Sequence, residues 1–433
     1  MAGVNRETFA WLNAGVDRFE GVTLAEMLKV VPPQEALQRL HQHLSPLARR
    51  EEVDVAEALD RVVARELTAP SDLPAFPRST MDGYAVRAPD TYGASEGVPA
   101  YLEVVGEVLM GGPAGIAVHA GQAAKVHTGG MLPEGFDAVV MVENTQQVDE
   151  RTIEVVRPVA PGENVLRVGD DVRKGSLLLR AGHRLRPQDI GGLMGMGITR
   201  VVVYPRPRLA ILSTGDEVVP PQQEPVPGQV RDINSYSLAS MARRAGAVPA
   251  AFGISGDDYE ELRGRAGQAL ADSDILVISA GSSVSTRDAT ARVVSSLGEP
   301  GILVHGVSIR PGKPTVLAVA GGKPVFGLPG NPVSSFVTFE LFVVPTIHLL
   351  GGYGTPPVRE SVEARLARNV ASTAGREDYV AVRLERRGGE SWAVPIFGES
   401  NLITVLMRAD GMALIPLNVH GVSEGETVRV LLF

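Results

Sequence analysis

Between Arg208 and Leu350, continuous apolar runs alternate with segments of helical spacing. The runs RLAILS and DILVIS are typical of buried parallel strands, because a strand covered on both faces is apolar throughout. The spacing predicts helices over residues 235–245, 258–271 and 287–297. This alternation predicts a parallel, doubly wound α/β sheet, whose ligands bind at the carboxyl ends of the strands.

The rest of the chain has shorter elements on both sides of this segment. We predict a helix, a loop and a second helix over residues 34–67, and glycines between 190 and 198 that allow close helix packing. Short strands rich in Pro and Gly turns follow residue 68 and residue 354. The chain is therefore predicted to be multidomain α/β plus β. A mixed helical and β connector is expected over residues 24–68 and 150–205, and an all-β insert domain over residues 69–149. The central α/β domain is expected over residues 206–353 and a C-terminal β barrel over residues 354–433.

Charge and composition exclude several function classes. The 433 residues carry a net charge of −9, and no block of Lys and Arg is present to follow a nucleic-acid backbone. No cysteine occurs, which excludes disulfides, thiolate catalysis and zinc-thiolate sites. Any metal must therefore use oxygen or histidine ligands, and oxygen-bound Mg²⁺ suits this chain best.

Two apolar stretches raise the question of a membrane. Charges interrupt the N-terminal 21 residues, so no signal peptide is predicted. The apolar run over residues 336–350 is short and contains Glu340, well below the length of a membrane span. We expect no membrane association and a cytoplasmic protein.

Four loops of the α/β segment carry groups suited to phosphate and a divalent ion. The loop STGDEVV follows the first strand, and SAGSSVSTRDAT follows the next predicted strand. Alone, the first could be an acidic turn and the second a serine-rich helix cap. The loops SIRPGKP and LPGNPVSS follow, the latter stiffened by proline and opening a helix whose N–H groups face an anion. The candidate ligand-binding residues are Thr214, Gly215, Asp216 and Glu217, then Gly281, Ser282, Ser283 and Asp288, then Arg310 and Lys313, and finally Pro329, Gly330, Asn331 and Pro332.

Two further motifs lie in the predicted β insert. STMDGYAV places Asp82 before Gly83, and HTGG places Thr128 before two glycines. On local sequence alone, Asp82 could be only a turn former and the TGG segment either an anion loop or a plain hairpin.

Taken together, five motifs resemble the molybdopterin molybdenumtransferase family, which includes MoeA and the E domain of gephyrin. The motifs are STMDGYAV, HTGGMLPEGFDAVVMVE, LAILSTGDEVV, SIRPGKPTVLAV and LPGNPVSS, in this order. The resemblance implies an α/β domain of the molybdopterin-binding type and Mg²⁺-dependent insertion of molybdate into adenylylated molybdopterin, with release of AMP. It also implies a homodimer whose active cleft is shared between the α/β domain of one subunit and the MDGYA-bearing domain of the other. Candidate partners are a separate adenylyltransferase and the recipient molybdoenzymes.

The resemblance also assigns roles to individual residues. It implies catalytic roles for Asp82, Thr128, Asp171, Glu217 and Asp288. Among these, Glu217, Asp288 and Asp82 are the expected Mg²⁺ ligands, and Ser400 is expected at the border of the cleft. Two alternatives remain: an adenylyltransferase or a nucleotide pyrophosphatase built on the same α/β module, and a scaffold resembling gephyrin. An adenylyltransferase or a nucleotide pyrophosphatase would not need the MDGYA, TGG and C-terminal segments, so their presence disfavours that alternative.

Overall fold

A computed structural model describes residues 30–117, 119–280 and 284–433, without the side chains of residues 284–288. The N-terminal stretch for which no signal peptide is predicted lies outside these residues, as do Gly281, Ser282 and Ser283.

Up to residue 203, the described residues form short strands and two helices. The helices are α1 (Pro33–His41) and α2 (Pro187–Gly195). The strands are β1 (Glu51–Asp54), β2 (Leu67–Thr68), β3 (Arg78–Ser79), β4 (Gly83–Val86), β5 (Ala100–Glu107), β6 (Gln122–Val126), β7 (Ala138–Met141), β8 (Thr145–Gln147), β9 (Thr152–Val155), β10 (Val165–Leu166), β11 (Leu177–Leu179) and β12 (Arg200–Val203).

One six-stranded sheet, in the order β7-β4-β6-β5-β9-β8, contains the MDGYAV strand β4 and the strand before the TGG segment, β6. Strand β9 belongs to this sheet and lies beyond residue 149, where the sequence places the end of the insert. Two antiparallel pairs, β1 with β12 and β2 with β11, join distant stretches of chain on either side of it.

The second helix predicted within residues 34–67 is wrong. A strand and one short 3₁₀ turn, Val55–Glu57, occupy this stretch instead. Val62 and Val63 are buried as the helical spacing predicts, but Asp60 has a φ of 64°, which a right-handed helix cannot contain. The apolar spacing reflects burial of irregular chain against β12.

The glycines of α2 make no close packing contact among the described residues of the chain. A methyl group added at Gly191, Gly192 or Gly195 would meet no described atom outside the helix within 4 Å. The helix instead buries Leu193 and exposes its glycine face.

The central domain has nine strands and five helices among the described residues. The strands are β13 (Arg208–Thr214), β14 (Val218–Val219), β15 (Val230–Arg231), β16 (Val248–Ser255), β17 (Ile275–Ser279), β18 (Pro300–His305), β19 (Ile309–Arg310), β20 (Val316–Ala320) and β21 (Lys323–Leu328). The helices are α3 (Asn234–Arg244), α4 (Tyr259–Ala271), α5 (Val284–Ser296), α6 (Pro332–Thr338) and α7 (Val344–Leu350), with a π-helical turn, Phe339–Val343, between the last two.

The main sheet of this domain has the order β16-β13-β17-β21-β20-β18. Helices α1, α3 and α6 pack on one face and helices α4 and α5 on the other, which confirms the doubly wound α/β prediction. The sheet is not wholly parallel: β20 runs antiparallel to both β18 and β21. Gly321 and Gly322 form the β20–β21 turn with φ of 56° and 77°, so no crossover helix is needed there.

The run Pro332–Leu350 is long and apolar enough to span a membrane by composition alone, yet 67% of its most apolar window is buried inside the protein. Phe339 and Phe342 are fully buried in the core shared with the sheet. We therefore describe it as a core helix.

The C-terminal domain closes into the predicted barrel. Its elements are β22 (Ser361–Leu366), β23 (Val370–Ala371), β24 (Glu377–Arg387), β25 (Glu390–Pro395), α8 (Ile403–Met407), β26 (Gly411–Ile415), β27 (Gly421–Val422) and β28 (Thr427–Leu432). The six-stranded sheet runs β19-β24-β25-β22-β28-β26, and an added β24–β26 pairing closes it. Strand β19 thus belongs to the central chain segment but pairs with the barrel.

A substitution at Gly83 tests the close packing of β4 against β7 in the β insert. A methyl group here would collide with the carbonyl oxygen of Val140 on the neighbouring strand β7. We expect Gly83→Ala to lower the melting temperature by about 5 °C or more, since overpacking forces the strands apart. Gly97→Ala is the matched control, because nothing lies within 4 Å of its added methyl. Equal melting temperatures for the two variants would contradict this packing.

Candidate functional site

A cleft of about 1220 Å³ lies between the α/β domain and the barrel. Two sequence-predicted loops line it from the α/β side, and the segments before β24 and after β25 line it from the barrel side. The predicted residues that meet there are Arg310, Lys313, Pro329, Gly330, Asn331 and Ser400.

Cationic side chains dominate the polar lining of this cleft. Arg310, Lys313 and Arg376 line it together with two carboxylates, Asp378 and Glu399. Asp378 is buried and accepts hydrogen bonds from Arg376 at 2.8 and 3.4 Å, while Arg310 lies 3.9 Å from it. Lys313 is exposed and forms no ion pair with any residue that the structure describes. The cleft therefore offers an anion the Lys313 ammonium, which is unpaired among the described residues, and the guanidinium groups of Arg310 and Arg376.

Backbone and side-chain bonds hold the walls of the cleft in place. The Asn331 amide donates to the Ser400 hydroxyl at 2.8 Å, and the Val333 N–H donates to the Ser400 carbonyl at 3.0 Å. These bonds join the LPGNPVSS loop to the barrel. Ser400, expected at the border of the cleft, thus contacts Asn331 of the LPGNPVSS loop.

A second pocket of about 310 Å³ adjoins the first at Gly330 and Asn331, which line both. Thr214, Glu217 and Pro332 also line it, as the loop motifs predict. Gly215 has a φ of 137°, and a methyl group there would lie 2.7 Å from the Glu217 carboxylate, so glycine lets this carboxylate fold over the turn. Asp216 is exposed, and its carboxylate caps the Asp257 N–H at 3.1 Å.

Two residues of this pocket escape the sequence analysis. The amide of Asn234 donates to the Ser279 hydroxyl and to the Gly330 carbonyl, both at 2.8 Å, and so joins the ends of β17 and β21. Asp232 is buried and accepts from the Ser213 hydroxyl at 3.1 Å. The only sequence signal is the D-I-N run before α3, which resembles an ordinary helix start.

Asp82 and Thr128 lie together in the β insert. The Asp82 carboxylate accepts from the Thr128 N–H at 2.8 Å and from its hydroxyl at 3.2 Å. The backbone hydrogen bond from Thr128 lowers the pKa of Asp82, and the hydroxyl bond and the nearby His127 act in the same direction. Asp82 is therefore an exposed, ionised carboxylate at neutral pH.

The insert residues and the clefts remain separate within one chain. Among the residues described, neither Asp82 nor Thr128 lines either pocket. Asp171 bonds through its backbone N–H to the Leu73 carbonyl. Asp288 lies in α5, but its side chain is not described, and Gly281, Ser282 and Ser283 lie outside the described residues.

Arg376 and His127 are the other functional candidates that the motifs missed. Arg376 precedes β24 in the run GREDY, and the sequence gives no sign that it reaches the cleft. His127 comes directly before the TGG segment. The motif therefore identifies the loop that contains His127, but it does not identify the residues that His127 contacts.

Comparisons with known proteins cover most of the chain. It matches the MoeA N-terminal region (domain I and II) over residues 31–197, a probable molybdopterin binding domain over residues 210–349 and the MoeA C-terminal region (domain IV) over residues 363–433. A putative molybdopterin biosynthesis protein of Methanocaldococcus jannaschii is 38% identical over 91% of this chain and 95% of its own length. A molybdopterin molybdenumtransferase of Nostoc is 36% identical over 88% of each chain.

A solved structure of a molybdopterin biosynthesis MoeA protein from Pyrococcus horikoshii is 31% identical, with a TM-score of 0.81 over 94% of this chain and 100% of that one. Fold and clefts thus define a multidomain protein built around an α/β domain of the molybdopterin-binding type. The chain belongs to the MoeA family of molybdopterin molybdenumtransferases, and it is a transferase of molybdenum cofactor biosynthesis.

The Asp82–Thr128 contact predicts the behaviour of one titration. Thr128→Val removes the hydroxyl but keeps the backbone N–H, which is the larger cause of the lowered pKa. We expect the pKa of Asp82 to rise only part of the way to its ordinary value in this variant. Carboxylate NMR titration of both proteins measures this. A complete return of the Asp82 pKa to its ordinary value would show that the hydroxyl, not the N–H, is the main cause of the lowered pKa.

Proposed function

We propose that this chain inserts molybdate into adenylylated molybdopterin in a Mg²⁺-dependent reaction that releases AMP. One observation carries the proposal: Gly330 and Asn331 line both a cation-rich cleft and a smaller pocket that contains carboxylates. An oxyanion selects the first environment, and a metal-bound phosphate selects the second. A single rigid loop would hold the two ends of one substrate next to each other.

Molybdate suits the larger cleft. It is a small oxyanion that needs N–H, hydroxyl or cationic donors, and the Lys313 ammonium has no ion pair to break within the part of the chain that the structure describes. Arg376 hydrogen-bonds to buried Asp378, and the guanidinium of Arg310 lies 3.9 Å from the same carboxylate, so both cations border the cleft beside it. The substrate's own dithiolene supplies sulfur to molybdenum, so a protein without cysteine is consistent with this reaction.

The smaller pocket fits a Mg²⁺ ion that keeps water and phosphate ligands. Among the described residues, no group of three His, Cys, Asp or Glu side chains could form a complete protein cage. Glu217 and Asp232 line the pocket with hard carboxylate oxygens, and magnesium commonly takes one or two carboxylates with substrate phosphates completing the shell. Glu217 would hold the ion, with Asp288 as the expected second ligand. When bound, the ion would spread the charge that develops on the cleaved phosphoanhydride.

The separation of Asp82 from both pockets motivates a homodimer. If Asp82 and Thr128 take part in the reaction, they must reach the cleft of another copy, because they line neither pocket of their own chain. A two-fold dimer would place each β insert over its partner's cleft. Asp82 would then supply a carboxylate from outside, as a further ligand of the metal or its water. A cytoplasmic location and docking of an adenylyltransferase or recipient molybdoenzymes belong to the same proposal.

Release of AMP tests the function. Purified protein is mixed with adenylylated molybdopterin and Mg²⁺, and AMP is measured with and without molybdate. We expect rapid AMP release only when molybdate is present. Equal release without molybdate would indicate a nucleotide pyrophosphatase, and binding without any release would indicate a scaffold.

Two variants then separate the roles of the pockets. Glu217→Gln should reduce turnover in a way that excess Mg²⁺ partly restores, because the amide binds the ion weakly. Lys313→Ala should raise the molybdate concentration needed for half-maximal AMP release by about tenfold or more, since a charged hydrogen-bond donor is lost. Excess Mg²⁺ should not restore AMP release by the Lys313→Ala variant. Equal rescue of both variants by Mg²⁺ would show that these roles are wrongly assigned.

A further inference from the structure

A row of polar side chains, Asp82, His127, Glu107 and Lys125, lies at one end of the β insert. His127 Nδ1 lies 3.8 Å from Asp82 Oδ1, and His127 Nε2 lies 2.7 Å from Glu107 Oε1. Lys125 Nζ lies 3.4 Å from the same Glu107 oxygen. The imidazole thus stands between two carboxylates and contacts both.

This row crosses three adjacent strands at one end of the sheet. Glu107 ends β5, Lys125 lies on β6 and His127 follows that strand, while Asp82 directly precedes β4. Because β6 lies between β4 and β5, a side chain just past its end can reach both neighbours. The sheet register, with Glu107 opposite Lys125 and Gly83 opposite Val126, fixes this alignment.

The contacts converge on one oxygen of Asp82. Oδ1 accepts from the Thr128 N–H at 2.8 Å and from its hydroxyl at 3.2 Å, and it also faces His127. The other oxygen, Oδ2, has no hydrogen bond to any residue that the structure describes. The carboxylate is therefore held by one oxygen and presents the second outward.

Fold stability does not explain this arrangement. The side chains of Asp82, His127 and Glu107 are 66%, 41% and 43% exposed, and exposed ion pairs contribute little to stability. Backbone bonds already close the turn: the Gly129 N–H donates to the Ser79 carbonyl, and the Gly130 N–H donates to the His127 carbonyl, both at 2.8 Å. The imidazole can be removed without opening these bonds.

We propose that His127 is a positioning residue for the reaction, which orients Asp82 through its Oδ1 oxygen, and that Glu107 in turn fixes the imidazole. The inference rests on the proposed function, in which Asp82 acts on the substrate in the partner's cleft. His127 touches no substrate. Its whole effect passes through Asp82, and this makes the inference testable by combining substitutions.

The test uses the molybdate-dependent release of AMP by the full chain. His127→Gln keeps a donor toward Glu107 and removes the imidazole ring that lies beside Asp82 Oδ1. We expect it to lower kcat about tenfold with little change in the KM for molybdate, because the molybdate-binding cations lie elsewhere. Asp82→Asn should lower kcat by a larger factor than His127→Gln does. In the double variant, His127→Gln should cause no further loss, since a residue that acts only through Asp82 has nothing left to orient.

Two controls separate positioning from folding. His119→Gln changes another exposed histidine of the same insert, whose backbone N–H donates to the Gln122 side chain, and it should leave kcat unchanged. Melting temperatures of the histidine variants should stay within about 2 °C of the unsubstituted protein. Glu107→Gln should reproduce a smaller part of the His127→Gln defect.

Each outcome decides the inference. Full activity in His127→Gln overturns it, as does a double variant whose loss is the product of the two single losses. A kcat defect that appears only with a large fall in melting temperature also overturns it, because the role would then be structural. If the unsubstituted protein releases no AMP on addition of molybdate, the proposed function itself fails, and the inference falls with it.

Discussion

The parallel pairing of β19 with β24 fixes the geometry on which the larger cleft depends. Ile309 and Arg310 leave the α/β domain and pair with Glu377 and Asp378 of the barrel. The Glu377 N–H adds a bond to the Ser308 carbonyl at 2.9 Å. Because these groups are backbone, the barrel cannot rotate away from the α/β domain without breaking a sheet, and the cations on either side of Asp378 keep their spacing.

A second constraint acts at the carboxyl edge of the central sheet. Strands β13, β17 and β21 run parallel and end at the same edge, so their loops meet there. The Asn234 amide joins two of these loops by bonding to Ser279 and to the Gly330 carbonyl. Gly330 thus has a fixed position at the boundary of both pockets. Mobile loops would not hold an oxyanion and a metal-bound phosphate at a constant separation.

Elements with strong local signals were predictable. Continuous apolar strands, helical spacing and glycine-rich motifs predicted the doubly wound domain, the barrel and the loops that contribute several residues to each of the two pockets. Long-range partners were not. The spacing of Val62 and Val63 reports burial but not which element buries them, and the antiparallel β20 depends on a two-glycine turn that resembles any other hairpin.

For the site, the motifs identified residues within single loops but not contacts between distant segments. Asp82 and Thr128 were found by motif and do contact each other. Arg376 was missed because its place in the cleft follows from the closure of the barrel, which no local pattern encodes. His127 was missed for a similar reason, since its partner Glu107 is 20 residues away on another strand.

A shared cleft is the central claim of this account, and mixed dimers test it most directly. Chains carrying Asp82→Asn and chains carrying Lys313→Ala are co-expressed with different tags, and the mixed dimer is purified by both tags. If each cleft combines the insert of one subunit with the loops of the other, one of the two sites retains both native side chains. The mixed dimer should then show about half of the unsubstituted activity, although each variant alone is impaired. Activity no higher than the average of the two single variants would contradict the shared cleft.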